Sequence, residues 1–219
     1  MKKLLQFVVL VSCFGGLLQA DITLGTANSG NTIPWSAPDI YPGNYQQIYN
    51  SGAFSGAIDI GSISFFNTYQ NDGASQGIGQ MDYSIYLAVT GQSVPDGTIP
   101  GGDVLFATGA LDGGSFPFGS TLTFSGTPFL YDPTAGNLEL TVLVSSGGGP
   151  LSGTYTLFDA EFDSGQFSRW CPDCGSNSGY GLVTGFGAGG PSVPEPGTLL
   201  LLGIGLVGIA VRSRRRIAS

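Results

Sequence analysis

Three groups of residues in this 219-residue chain have types and spacings that could do chemistry. The first is acidic. Asp159, Glu161 and Asp163 alternate with Phe158, Ala160 and Phe162, so a strand would aim all three carboxylates to one side. Hard cations prefer oxygen donors, and three acids with help from carbonyls of a neighbouring loop would suit calcium. The order Asp-x-Glu-x-Asp-Ser-Gly departs from the EF-hand loop, so a solvated polar strand face is the simpler expectation, with no resident cofactor. The second group is Cys171-Pro172-Asp173-Cys174. In an oxidising compartment two cysteines this close are expected to close a small disulfide loop. A redox role would want a helix start beside a βαβ unit, and structural zinc would want two more ligands. The third is Gly73-Ala74-Ser75-Gln76-Gly77, which has the Gly-x-Ser-x-Gly spacing of a hydrolase elbow. That elbow needs a histidine base, and the chain contains no histidine.

Two looser constellations remain. Paired carboxylates could serve a glycoside hydrolase as acid and nucleophile, but no particular pair stands out. Trp35, Tyr41, Tyr45, Tyr49 and Trp170 could stack on sugar rings as a carbohydrate-binding module, although packing in a core is the more ordinary use of such rings. No residue is therefore assigned a catalytic role, and the body is expected to be non-enzymatic.

Elements must hold these groups in place, and the pattern for strands is strong. Between residues 21 and 186 fourteen acids face a single base, Arg169, and lysine and histidine are absent. Such a surface repels phosphate backbones, which argues against nucleic acid as a partner. Glycine is abundant, at 37 residues, and helix-favouring runs are missing. Alternating apolar positions mark strands at Ile58, Ile60, Ile63 and Phe65, with a bulge at Gly61 and Ser62. Others fall at Tyr83, Ile85, Leu87 and Val89, at Val104 and Phe106, at Leu122 and Phe124, and at Leu138, Leu140, Val142 and Val144. Single runs are expected over Tyr155 to Phe162 and Gly181 to Phe186. Turn signals separate them at Asn71-Asp72-Gly73, Pro95-Asp96-Gly97, Pro100-Gly101-Gly102, Asp112-Gly113-Gly114, Asp132-Pro133 and Ser145 to Pro150. Seven or more short strands at this spacing predict an antiparallel β-sandwich, with jelly-roll connectivity or a barrel as variants. Residues 21–186 form this domain, and 187–196, rich in Gly, Pro and Ser, a flexible stalk.

The two ends read as addresses. Residues 1–20 carry Lys2 and Lys3, an apolar run and a terminal Ala20, the layout of a secretory signal peptide cut after Ala20 by signal peptidase at the translocon. A lipoprotein signal at Leu10-Val11-Ser12-Cys13, with Cys13 acylated as the first mature residue, is the alternative. Residues 198–211 form an uncharged apolar helix candidate, followed by Arg212, Arg214, Arg215 and Arg216. Fourteen helical residues rise about 21 Å, short of the ~30 Å hydrocarbon layer, so the flanking arginines must snorkel. The positive-inside rule keeps that cluster cytoplasmic and everything before it outside.

The order Val193-Pro194-Glu195-Pro196-Gly197, apolar helix, basic terminus over residues 193–219 resembles the PEP-CTERM tail that membrane-embedded exosortases recognise in Gram-negative bacteria that make exopolysaccharide. The resemblance implies anchoring in the inner membrane facing the periplasm, processing near Pro194 to Pro196, and release or transfer to the cell surface or beyond. An ordinary single-span anchor is the alternative. Tyr45 to Tyr49 with Phe54, and Phe129 to Leu140, are also similar to segments of secreted β-sandwich domains that often precede such tails. The body is thus expected to be surface or matrix material, or a module that binds exopolysaccharide.

Overall fold

The computed structural model describes residues 21–38, 43–70, 76–99, 101–145, 147–149 and 154–188. The leader 1–20 with Cys13 and Ala20, Tyr41, the turn at 71–73, the serine of the Gly-x-Ser-x-Gly run, Pro100 and residues 189–219 lie outside that description. Among the described residues no helix is long and apolar enough to cross a membrane.

Among the described residues fourteen strands, numbered in chain order, fold into three sheets, antiparallel but for one short parallel pairing. The first sheet runs β1 (Ile22–Leu24), β14 (Thr184–Ala188), β4 (Ile58–Phe66) and β7 (Thr121–Tyr131). The large sheet runs β12 (Gly175–Ser178), β11 (Phe167–Cys171), β3 (Gly43–Tyr49), β8 (Asn137–Val144), β5 (Gln76–Thr90) and β6 (Val104–Ser115). Its seventh strand, β9 (Thr154–Tyr155), lies parallel to the start of β5. A short third sheet joins β13 (Tyr180–Leu182), β10 (Phe158–Phe162) and β2 (Ser29–Asn31). This is the all-β, sandwich-type architecture that the alternation predicts.

One face of the first sheet and one face of the large sheet supply the core. Ile58, Ile60, Ile63 and Phe65 of β4 are all buried, and the register with β7 shifts between Ile60 and Ser62, where a bulge is expected. The bulge keeps all four on one side despite the three-residue step. From the large sheet come Leu138, Leu140, Val142 and Val144 of β8, paired with Val89, Leu87, Ile85 and Tyr83 of β5. Trp35, fully buried, sits among the rings of Phe124, Phe65 and Tyr83 at centroid distances of 4.5, 5.4 and 6.1 Å.

Four expectations from the sequence need correction. Tyr155 to Phe162 is two strands in two sheets, because Thr156 turns the chain by donating its N–H to Gly77 O and to Ser36 Oγ. Gly181 to Phe186 likewise divides at Val183, whose N–H bonds Asp159 O, so that the chain passes from the third sheet to the first. Asp112-Gly113-Gly114 is no turn but the inside of β6, opposite Gln80 and Ile78. The last strand also runs past residue 186, since Gly187 and Ala188 still pair with Ser62 and Ile60 of β4.

The central strand β3 buries every residue from Tyr45 to Tyr49, two glutamines included. Gln47 points inward and ties the large sheet to the third one. Its Nε2 donates to Leu182 O at 2.9 Å, while its Oε1 accepts from Leu182 N at 2.7 Å and Tyr45 OH at 2.5 Å. The amide oxygen takes two bonds and the nitrogen gives one, all to backbone or phenol, so a polar side chain is tolerated in the core.

Candidate functional site

The carboxylates of β10 do not converge. Asp159 is buried, and its oxygens accept from Thr68 N at 2.6 Å, Thr68 Oγ1 at 2.5 Å and Tyr69 N at 2.8 Å. It staples the segment after β4 to the third sheet. Glu161 accepts from Thr26 N at 2.9 Å through Oε2. Asp163 follows the end of β10 with φ of 61°, so the alternation that would align it with the others has stopped. Calcium at Asp159, Glu161 and Asp163 is therefore not what the geometry supports. Nor is the trio a solvated face, because Asp159 is structural. Among the described residues no three His, Cys, Asp or Glu side chains gather into a metal-holding group.

Cys171 and Cys174 are joined as a disulfide across the β11–β12 turn, with Cα atoms 5.2 Å apart, and Cys174 N donates to Cys171 O at 3.3 Å. The bridge closes a hairpin. Of the described sugar-stacking candidates, Trp35, Tyr45 and Tyr49 are buried core residues and Trp170 is partly exposed. Burial drives the Tyr45 and Tyr49 hydroxyls well above their ordinary range. Gln76 and Gly77, the described end of the Gly-x-Ser-x-Gly run, open β5, where Gln76 Oε1 accepts from Asn67 Nδ2 at 2.7 Å. A shallow recess among Ile22, Ile58, Ile60 and Phe186 is apolar apart from Asp59 at its rim.

The described region richest in unusual electrostatics was not legible in the sequence. It is the outer face of the large sheet, beneath the chain that leaves β5. Gln46 holds that chain by donating Nε2 to Thr98 O and accepting from Gly97 N, both at 2.9 Å. Asn44 Nδ2 donates to Gly97 O at 2.9 Å, Ser168 Oγ to Ser93 O at 2.6 Å and Ser176 Oγ to Pro95 O at 2.7 Å. Gly97 has φ of +87°, and a Cβ there would sit 2.5 Å from the Trp170 ring, so only glycine lets the segment lie this close. Under the cover, Glu139 of β8 is 2% exposed and its Oε2 has no hydrogen-bond partner. Both oxygens of Asp103 are likewise buried and unpartnered. Desolvation first, then the charges of Asp103 and Asp96, push the Glu139 carboxyl up to about 7. Desolvation also raises Asp103. Glu139 alternates with apolar neighbours in Leu138-Glu139-Leu140, a pattern that reads as a solvent-facing position, and nothing local announces the segment that covers it.

The sorting residues Val193 to Gly197 and the arginines 212 and 214–216 fall outside the described residues, and here sequence comparison speaks. Residues 192–216 match the PEP-CTERM protein-sorting motif. No curated protein and no solved structure matches the chain.

Proposed function

The PEP-CTERM protein-sorting motif at residues 192–216 marks an exosortase-sorted exported protein, and from that premise we propose that the β domain is non-enzymatic surface or matrix material. The reading rests on the match to the motif. It is supported by the order of a basic-apolar leader over residues 1–20, an acidic body, Pro194-Glu195-Pro196, the uncharged run 198–211 and the arginine cluster. Export brings the body into an oxidising space in which the Cys171–Cys174 bridge persists. The tail holds the chain at the inner membrane, facing the periplasm, until exosortase acts near Pro194 to Pro196. The product then reaches the cell surface or the medium. A sugar-binding or sugar-cleaving body is less favoured, because three of the rings that would stack on a glycan, Trp35, Tyr45 and Tyr49, are spent on the core.

Replacing Pro194, Glu195 and Pro196 together by alanine in the producing cell tests the proposal. The variant is expected to stay full-length in the membrane fraction while the parent chain leaves it. Equal release of both would remove exosortase processing from the account.

A further inference from the structure

The covered acids on the outer face of the large sheet are brought together by register. Glu139 pairs with Ala88 of β5, and Leu87 pairs with Val104, the first residue of β6. Asp103 lies one residue before Val104, just outside β6, and extending the register by that residue puts it opposite Ala88, on the face that Glu139 shares. With strands about 4.8 Å apart, the two Cα atoms stand about 10 Å apart across one intervening strand. That strand contributes only a methyl group between them. A glutamate and an aspartate leaning over an alanine can bring their carboxyl groups to either side of a single atom.

No cation answers them. The single base among the described residues, Arg169, pairs with Gln47 and so lies on the opposite face, with its guanidinium 4.1 Å over the Tyr180 ring. Yet three carboxylate oxygens, Asp103 Oδ1 and Oδ2 and Glu139 Oε2, are buried without a partner. Buried charges require pairing or coordination. One shared proton would join Glu139 to Asp103 by a single O–H···O bond and satisfy two of these three oxygens. A hard divalent ion takes all three.

We propose that Glu139 and Asp103 form a divalent-cation site of the calcium class, roofed by the Ser93–Ile99 segment. Two acidic side chains leave the rest of the shell to backbone carbonyls and water, which places the site in the weak range of extracellular modules, Kd roughly 10⁻⁴–10⁻³ M. In that range occupancy follows the calcium outside the cell, and the ion would fasten the covering segment to β8 after export. The acids of β10 play no part.

The test is titration of the EDTA-stripped full chain with CaCl2, read by calorimetry and by thermal unfolding. One saturable site per chain and a raised Tm are expected. Glu139→Gln and Asp103→Asn should each weaken binding at least tenfold, whereas Glu161→Gln should leave it unchanged. Without calcium, Glu139→Gln should unfold at or above the parent's Tm, since it removes a buried like charge, and this shows that lost binding is not lost folding. The proposal is overturned by the absence of saturable binding, by equal binding in all four proteins, or by a stability that answers to pH and not to calcium.

Discussion

Two adjacent glutamines in β3 allow a sharp test of how the sheets are joined. Gln47→Leu keeps the side-chain volume but leaves Tyr45 OH, Leu182 N and Leu182 O without their partner in the interior. Each orphaned buried group costs about 1–3 kcal/mol, and the three share one site and are not additive, so the expected loss is about 3–5 kcal/mol. That is a large share of the 5–15 kcal/mol typical of a domain. Gln46→Leu breaks two bonds to Gly97 and Thr98 in a surface segment that water can reach, and a longer one to Thr141 Oγ1. Its cost should be about 1–2 kcal/mol. The assay is urea unfolding followed by tryptophan fluorescence, with the midpoints compared at unchanged m-value. If the two substitutions cost the same, or Gln47→Leu costs less than about 1 kcal/mol, the amide is not the joint between sheets that the geometry describes.

Other outcomes follow from the same structure. Trp35→Ala empties the centre of the aromatic cluster and should lower unfolding free energy by about 3–5 kcal/mol, or prevent folding, as circular dichroism would record. Glu139 is raised from 4.5 to about 7, so in EDTA the native state holds its proton where the unfolded chain has lost it. Its contribution is full below pH 4.5 and is lost as pH rises through about 7, and Glu139→Gln should flatten that part of the pH–stability curve. Asp103 and Asp96 are the charges that act on Glu139, Tyr86 shares its face, and Asp82 lies further along the same face of β5. Cys174→Ser opens a loop with a sequence separation of only 3, so chain entropy predicts a loss of about 2 kcal/mol in urea unfolding. Gly97→Ala meets both a positive φ and the Trp170 ring, and should loosen the covering segment, seen as faster amide exchange at Thr98.

How much of this could be read from residue order depends on how local the cause is. The β4 face and its bulge were legible because apolar spacing alone dictates which side each residue takes. The runs after Tyr155 and Gly181 misled because a strand that changes sheets keeps its alternation, and the break at Thr156 or Val183 depends on partners far along the chain. Gln46 and Gln47 obscure β3, since consecutive amides read as exposed until their long-range partners are known. Asp159 shows the same limit. Its alternation with Phe158 and Ala160 is visible in sequence, whereas the Thr68 and Tyr69 donors that occupy its oxygens lie about ninety residues away. Glu139 and Asp103 become neighbours only through strand register. The sorting motif is the opposite case, linear and read as a string, so sequence alone locates it.

The central claim is that the cell treats both termini as addresses and the β domain as their cargo. Mass spectrometry of the mature protein, recovered from the surface and medium fractions of its native host, tests it most directly. The account predicts an N-terminus at Asp21 or close to it and a C-terminus near Pro194 to Pro196, with residues 198–219 missing. A cytosolic chain still carrying Met1 and Ser219 would contradict it.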